Sequence, residues 1–113
     1  MTIVSVYAIF ADADEAERIG RQMIEERLAA CINILGPCRS VYRWQGKIET
    51  SDEVPAILKT TLAQSDALIA RIADLHSYDV PCVAVWPIEK LHSDYADWVE
   101  ASVGEADVSA RTS

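Results

Sequence analysis

The sequence predicts an α+β domain of the ferredoxin-like, split βαβ kind, in the order β-α-β-β-α-β with one further helix at the C-terminal end. Three observations carry this. An apolar strand with two buried faces opens the chain, two amphipathic stretches at helical spacing follow at separate positions, and a hairpin pattern far longer than an ordinary strand pair lies between them. A chain of 113 residues, half of them apolar, suits one domain with a single core. That domain is expected over residues 1–103, and the small, polar segment 104–113 is expected to fray.

Ile3 to Phe10 places Val4, Val6, Ala8 and Phe10 on one face and Ile3, Tyr7 and Ile9 on the other. Both faces are apolar, as in a central strand covered on two sides. Asp12 with Glu15 three residues later has capping-box spacing, and Asp14, Glu15 and Glu17 load the first helical turn with the charge that the helix dipole favours. Ala16, Ile19, Met23, Ile24 and Leu28 recur at helical spacing, which predicts a helix ending near Leu28. Ala30 to Leu35 and Ser40 to Trp44 read as one strand broken by a bulge at Gly36-Pro37. Gln45-Gly46 supplies the turn, and Lys47 to Thr61 returns as the partner arm, with Thr50 to Glu53 as a second irregularity. Pro55 has no N–H to give, so its position must lack a ladder partner on that side. Leu62 to His76 is a second amphipathic helix with Leu68, Ile69, Ile72 and Leu75 inward. Cys82 to Ile88 is a strand, and Ser93 caps a last helix carrying Tyr95, Trp98, Val99 and Val103.

Each arm of the hairpin runs about 14–15 residues, or roughly 45–50 Å, against a usual strand of about 5–6 residues. The first strand can pair with only about half of the arm beside it, and the remainder would project with open edges. Val41, Tyr42, Trp44 and Ile48 lie on that projecting part. Two readings are open: the hairpin curls back over its own sheet, or it pairs with another copy of the chain. The second protects the open edges and is the expectation adopted.

The net charge of −8, from 10 basic and 18 acidic side chains, argues against nucleic acid and against an anionic membrane surface as partners. No apolar run approaches the roughly 20 residues of a membrane span. Met1-Thr2-Ile3-Val4 lacks the basic leader of a secretory signal, so a cytoplasmic location is expected. Three cysteines, Cys31, Cys38 and Cys82, are odd in number and widely spaced, which fits reduced thiols rather than a disulfide framework.

Five ordered segments then become recognisable: Leu28-Ala29-Ala30-Cys31-Ile32-Asn33, Ser40 to Glu49 (Ser-Val-Tyr-Arg-Trp-Gln-Gly-Lys-Ile-Glu), Leu58-Lys59-Thr60-Thr61, Leu75 to Pro81 (Leu-His-Ser-Tyr-Asp-Val-Pro), and Asp94-Tyr95-Ala96-Asp97-Trp98. Together they resemble the CutA family, the divalent-cation tolerance proteins, over roughly residues 3 to 103. The resemblance implies a homotrimer bridged by the long hairpin of the second and third strands, with an architecture similar to the trimeric PII regulatory proteins. It implies a role in tolerance of divalent metals, copper above all, with copper bound in some members and no enzymatic reaction attached. The chain departs from the family pattern at Ser77, where the family has proline, and at Cys82, where it has glutamate. Phe10 stands where some copper-binding members carry cysteine, and Leu75 where they carry a histidine, which leaves only His76 of that constellation.

Candidate residues follow from both lines. Cys82 and His76 are the best metal-ligand pair, for copper or another divalent cation, since thiol and imidazole suit such ions. Cys31 is expected in the core, and Cys38 in a more exposed place. Lys59, His76, Tyr78 and Glu49 form a second set, which could meet in an inter-subunit cleft and take a small anion. The alternative role is accordingly a small-molecule-sensing or scaffolding trimer. Tyr42, Trp44, Ile48 and Trp98 are expected at the trimer interface. No nucleophile elbow or phosphate-cradling glycine loop is present, so the chain is not expected to be an enzyme.

Overall fold

A computed structural model describes residues 2–105. The elements are β1 (Ile3–Phe10), α1 (Ala13–Glu25), β2 (Cys31–Ile34), β3 (Cys38–Trp44), β4 (Lys47–Thr61), α2 (Leu62–Leu75), β5 (Val83–Pro87) and α3 (Ser93–Ser102). The strands form one antiparallel sheet in the order β2-β4-β1-β5, with β3 also paired to β4. With β2 and β3 counted as one broken strand, this is the ferredoxin-like order that the sequence predicts.

The break between β2 and β3 is a bulge. Between the pairs Ile34–Ala56 and Cys38–Glu53, three residues on one arm (35, 36, 37) face two on the other (54, 55). The Leu35 N–H donates to the Pro55 carbonyl at 3.0 Å. In an extended residue the N and the C=O point the same way, so the missing N–H of Pro55 faces the bulge, where no ladder acceptor needs it. Thr50 to Glu53, expected to be irregular, is continuous strand paired to β3. At the tip, Gln45 and Gly46 both take positive φ, 50° and 79°, the twist of a type I′ turn.

The α1/α2 layer covers one sheet face. Val4, Val6, Ala8 and Phe10 of β1 and Ala56 and Leu58 of β4 pack there against Ile19, Met23, Leu68 and Ile72. Gly20 lets α1 approach β2: a Cβ built there would lie 2.6 Å and 2.8 Å from Ile32 Cδ1 and Cγ2. α1 ends three residues before Leu28, because Arg27 turns left-handed (φ 60°) and the Leu28 and Ala29 N–H groups both return to the Met23 carbonyl. Arg27 then clamps the end of α3, donating to the carbonyls of Gly104 (2.7 Å) and Ala101 (2.8 Å), while the Gly104 N–H donates to the Arg27 carbonyl (2.9 Å). Gly104, placed by the sequence in a fraying tail, is thus tied down, and residues 106–113 of that expectation lie outside the described residues. The N-cap position of α3 is His92 rather than Ser93, and its side chain makes no capping hydrogen bond.

α3 covers only one end of the second sheet face, where Val99 and Val103 meet Ile3 and Ala30. The rest of that face carries Tyr7, Ile9, Ile57 and Trp86, with Trp86 exposed and stacked on Tyr7 at 4.6 Å. The β3–β4 ribbon extends past the end of β1 and draws the molecule out to 57 × 27 × 22 Å.

Gly20→Ala is expected to destabilise the fold by about 1–2 kcal/mol in a urea titration, because the clash with Ile32 outweighs the roughly 1 kcal/mol that alanine gains in helix propensity.

Candidate functional site

The connector from α2 to β5 is held by three neighbouring elements. Glu15, buried in the first turn of α1, has its own N–H capped by Asp12 Oδ1 at 2.8 Å. Its carboxylate reaches outward: Oε1 accepts the Ala11 N–H (3.0 Å) and Oε2 accepts the Ser77 N–H (3.1 Å). His76 follows, its side chain fully buried. Nδ1 accepts the Tyr78 N–H at 3.0 Å, so the ring proton lies on Nε2, which donates to the Ile9 carbonyl at 2.7 Å. The ring stacks on Phe10 (centroids 5.3 Å apart) and meets Tyr78 at 4.7 Å. Tyr78 donates its hydroxyl to Glu53 Oε2 at 2.8 Å and so ties the connector to β4. Burial first, then this bond and the charges of Glu53 and Glu15, push the Tyr78 phenol well above its ordinary range.

Between this connector and the base of the hairpin lies a cleft of about 570 Å³, lined by Ile9, Ser40, Tyr42, Trp44, Glu53, Ser77, Tyr78, Asp79, Val80 and Cys82. The size suits a small ligand. Among the described residues its charged lining groups are the side chains of Glu53 and Asp79, with no lysine, arginine or histidine. On the same sheet face, burial and the fields of Cys38, Cys82 and Glu53 push the Tyr7 phenol upward.

The residues singled out from the sequence are divided by this geometry. Tyr78 and Cys82 line the cleft, as do Tyr42 and Trp44 of the expected interface set. Lys59 does not: it sits half-buried in β4 between Ser5 and Cys31. Glu49 is exposed on the ribbon opposite Tyr42, and His76 lies behind the cleft wall. Within one chain the set Lys59, His76, Tyr78 and Glu49 does not converge, and the lining of this intra-chain cleft suits a cation rather than a small anion. Ile48 is exposed on the ribbon, and Trp98 is exposed on α3, tilted against Tyr95. Cys31 is half-buried, with Sγ 3.4 Å from the Tyr95 hydroxyl, and burial with this contact pushes that phenol up to about 12. Glu53, Asp79 and Ser40 were missed. The signal for Glu53 was the period-two alternation of Val54, Ala56 and Leu58, which puts an acid on the opposite face beside Pro55 and Ile57.

His76 and Cys82 do not fit a metal site as placed. Both ring nitrogens are engaged with backbone groups while Cys82 is exposed, and no group of three or more His, Cys, Asp or Glu among the described residues is arranged to hold an ion.

Glu15 makes the connector sensitive to acid. Burial, the largest influence, works to raise its carboxyl, but hydrogen bonds from Ser77 and Ala11 outweigh it and hold the group below its ordinary value of 4.5. A carboxylate with a depressed folded value contributes stability above its unfolded value, and that contribution is lost as pH falls through the folded value. Glu15→Gln is therefore expected to lower stability at neutral pH by about 1–2 kcal/mol and to flatten the loss of stability below about pH 4.5, read from urea titrations at several pH values.

Comparison with known proteins gives this fold a family. Residues 4–102 match the model of the CutA1 divalent ion tolerance protein family. A divalent-cation tolerance protein CutA of Pyrococcus horikoshii is 40% identical over 97 residues, covering 86% of this chain and 94% of its own. That of Archaeoglobus fulgidus is 36% identical over 98 residues, covering 87% and 95%. The crystal structure of CutA from Xylella fastidiosa superposes with a TM-score of 0.88 at 33% identity, over 92% of this chain and 100% of the other. The Archaeoglobus fulgidus structure, at a TM-score of 0.87 and 34% identity over 90% and 99% of the two chains, is described as a periplasmic divalent cation tolerance protein. That description overturns the cytoplasmic expectation, because a chain of this fold is placed outside the cytoplasm. No helix among the described residues is long and apolar enough to cross a membrane. With the model matched over nearly its whole length and relatives well above 30% identity, the chain belongs to the CutA1 divalent ion tolerance family.

Proposed function

We propose that this chain acts in tolerance of divalent cations as a homotrimer of PII-like architecture, not as an enzyme, with the β3–β4 ribbon of each subunit covering its neighbour. The observation that carries this reading is the bare ribbon. Past the end of β1 it has, among the described residues, no strand beyond its own partner, yet it presents Val41 (66% exposed), Tyr42 (41%), Trp44 (43%) and Ile48 (70%) to solvent. The uncovered part of the second sheet face adds Tyr7, Ile9, Ile57 and Trp86. Apolar groups arranged along an open edge and an open face are the usual material of a subunit interface. The number three comes from the family resemblance of the sequence, and so does copper as the ion concerned. The relatives are named for tolerance and not for a reaction.

If the ribbon joins subunits, Trp44→Ala is expected to shift the protein toward monomer on dilution, measured by light scattering, and to lower the melting temperature. A variant that keeps the wild-type mass and melting point in dilute solution would remove Trp44 from the interface. The tolerance role is read without a resident ion at His76 and Cys82. Titration of the reduced protein with copper is expected to give the same uptake in wild type and Cys82→Ser, whereas a tight site of one ion per chain that Cys82→Ser abolishes would restore that pair.

A further inference from the structure

Glu53 is a buried acidic side chain with no basic partner among the described residues. The residue is 8% exposed, and among the described residues its carboxyl group has one hydrogen-bond partner, the Tyr78 hydroxyl, 2.8 Å away. Among the described residues, no lysine, arginine or histidine lies within ion-pair distance of it. A carboxylate taken out of water without a cationic partner is strongly disfavoured, and a phenol offers only part of what is lost. The cleft opens directly onto this group, with a second acidic side chain, Asp79, in its lining and no basic side chain among the described residues. Tyr42 and Trp44 stand in the same lining, and aromatic faces attract organic cations. A bare divalent ion suits the place less well, since no cluster of three donor side chains converges among the described residues.

We propose that the cleft binds an organic cation, a guanidinium or primary ammonium group on a short apolar stem, with Glu53 as its charge partner and Tyr42 and Trp44 as its walls. Two sources carry that chemistry. One is a free small molecule. The other is a second copy of this chain, whose Arg43 and Lys47 flank the hairpin turn, are exposed, and make no ion pair among the described residues. Only the second source rests on the trimer reading.

The test is calorimetric titration of the full chain with n-butylguanidinium and n-butylammonium chloride, with sodium butyrate as the control of opposite charge. Saturable binding of the cations to wild type, and none of butyrate, supports a free ligand. Binding that appears only in the Arg43→Ala/Lys47→Ala double variant supports the same site already filled by a neighbouring hairpin. In the protein that binds, Glu53→Gln preserves the acceptor for Tyr78 and nearly the same volume. It is expected to weaken binding about tenfold or more, as loss of a charge-assisted contact does, while still melting cooperatively. Should that variant not fold, Asp79→Asn at an exposed position is expected to weaken binding about two- to threefold. The proposal is overturned if neither wild type nor the double variant binds the cations saturably, if butyrate binds as tightly, or if a folded Glu53→Gln (or, failing that, Asp79→Asn) binds as wild type does. The mass of the protein separates the two readings: a monomer that binds the cation overturns the trimer alone, and a trimer that never binds it overturns this site alone.

Discussion

The whole structure depends on β4 being one continuous strand of 15 residues. Its last eight residues, Val54 to Thr61, pair with all eight of β1, and Ala56 to Lys59 pair with β2 on the other edge. Its first seven, Lys47 to Glu53, have β3 and nothing else. The strand is therefore core at one end and ribbon at the other. The change falls at Glu53–Val54–Pro55, where the bulge shifts the register, the donor is missing and the burial begins. A two-stranded ribbon is marginal by itself in water, and this one is kept in line because its inner strand is the middle of the sheet.

That junction is also where the cleft forms. The connector after α2 is bound to it by short hydrogen bonds from successive residues: Ser77 to Glu15, His76 to Ile9, and Tyr78 to Glu53. Each contact crosses between elements distant in sequence, and together they fix one wall of the cleft against the end of β1 and the base of the ribbon. His76 works here as a structural crossbrace. An imidazole that donates through one nitrogen and accepts through the other spans two backbone groups at once, which an apolar residue of the same shape does not do. Its conversion to a metal ligand would release one of those groups inside the protein.

Much of the architecture was legible because it rests on short-range chemistry. The two apolar faces of β1, the Asp12–Glu15 cap, the Gln45-Gly46 turn and the interruption at Gly36-Pro37 are each written within a few residues, and each has the structure expected of it. The site was less legible because it depends on register. Lys59 and Glu53 both stand on the face of β4 away from the helices, six residues apart, and nothing local says which of them meets the connector. The answer comes from where β1 ends and the bulge begins, about 20 Å along the strand from Lys59. His76 and Cys82 were drawn together by nearness in sequence and by donor chemistry. The chain instead turns His76 inward under Phe10 and Tyr78 and leaves Cys82 exposed on the cleft. Residues 106–113 lie outside the described residues, so their expected fraying has no counterpart in the structure.

Charge then decides what kind of partner the cleft suits. The chain carries a net −8, and the cleft is not an exception to that surface but a concentrated part of it, with a buried carboxylate at its floor and a second on its rim. Low-dielectric walls strengthen the field of a charge they enclose, so Tyr42 and Trp44 favour a cation twice over, through their faces and through the water they exclude. A small anion would meet the same field with the opposite sign, and Lys59, the side chain that would have received it, lies on another part of the strand. The same reasoning joins the cleft to the ribbon. The turn carries Arg43 and Lys47, basic groups on an acidic protein, at the end that reaches farthest from its own sheet. A projecting positive tip and a recessed negative cleft on one chain are complementary between copies and not within one, so the proposed self-association would gain a direction that apolar burial alone does not supply.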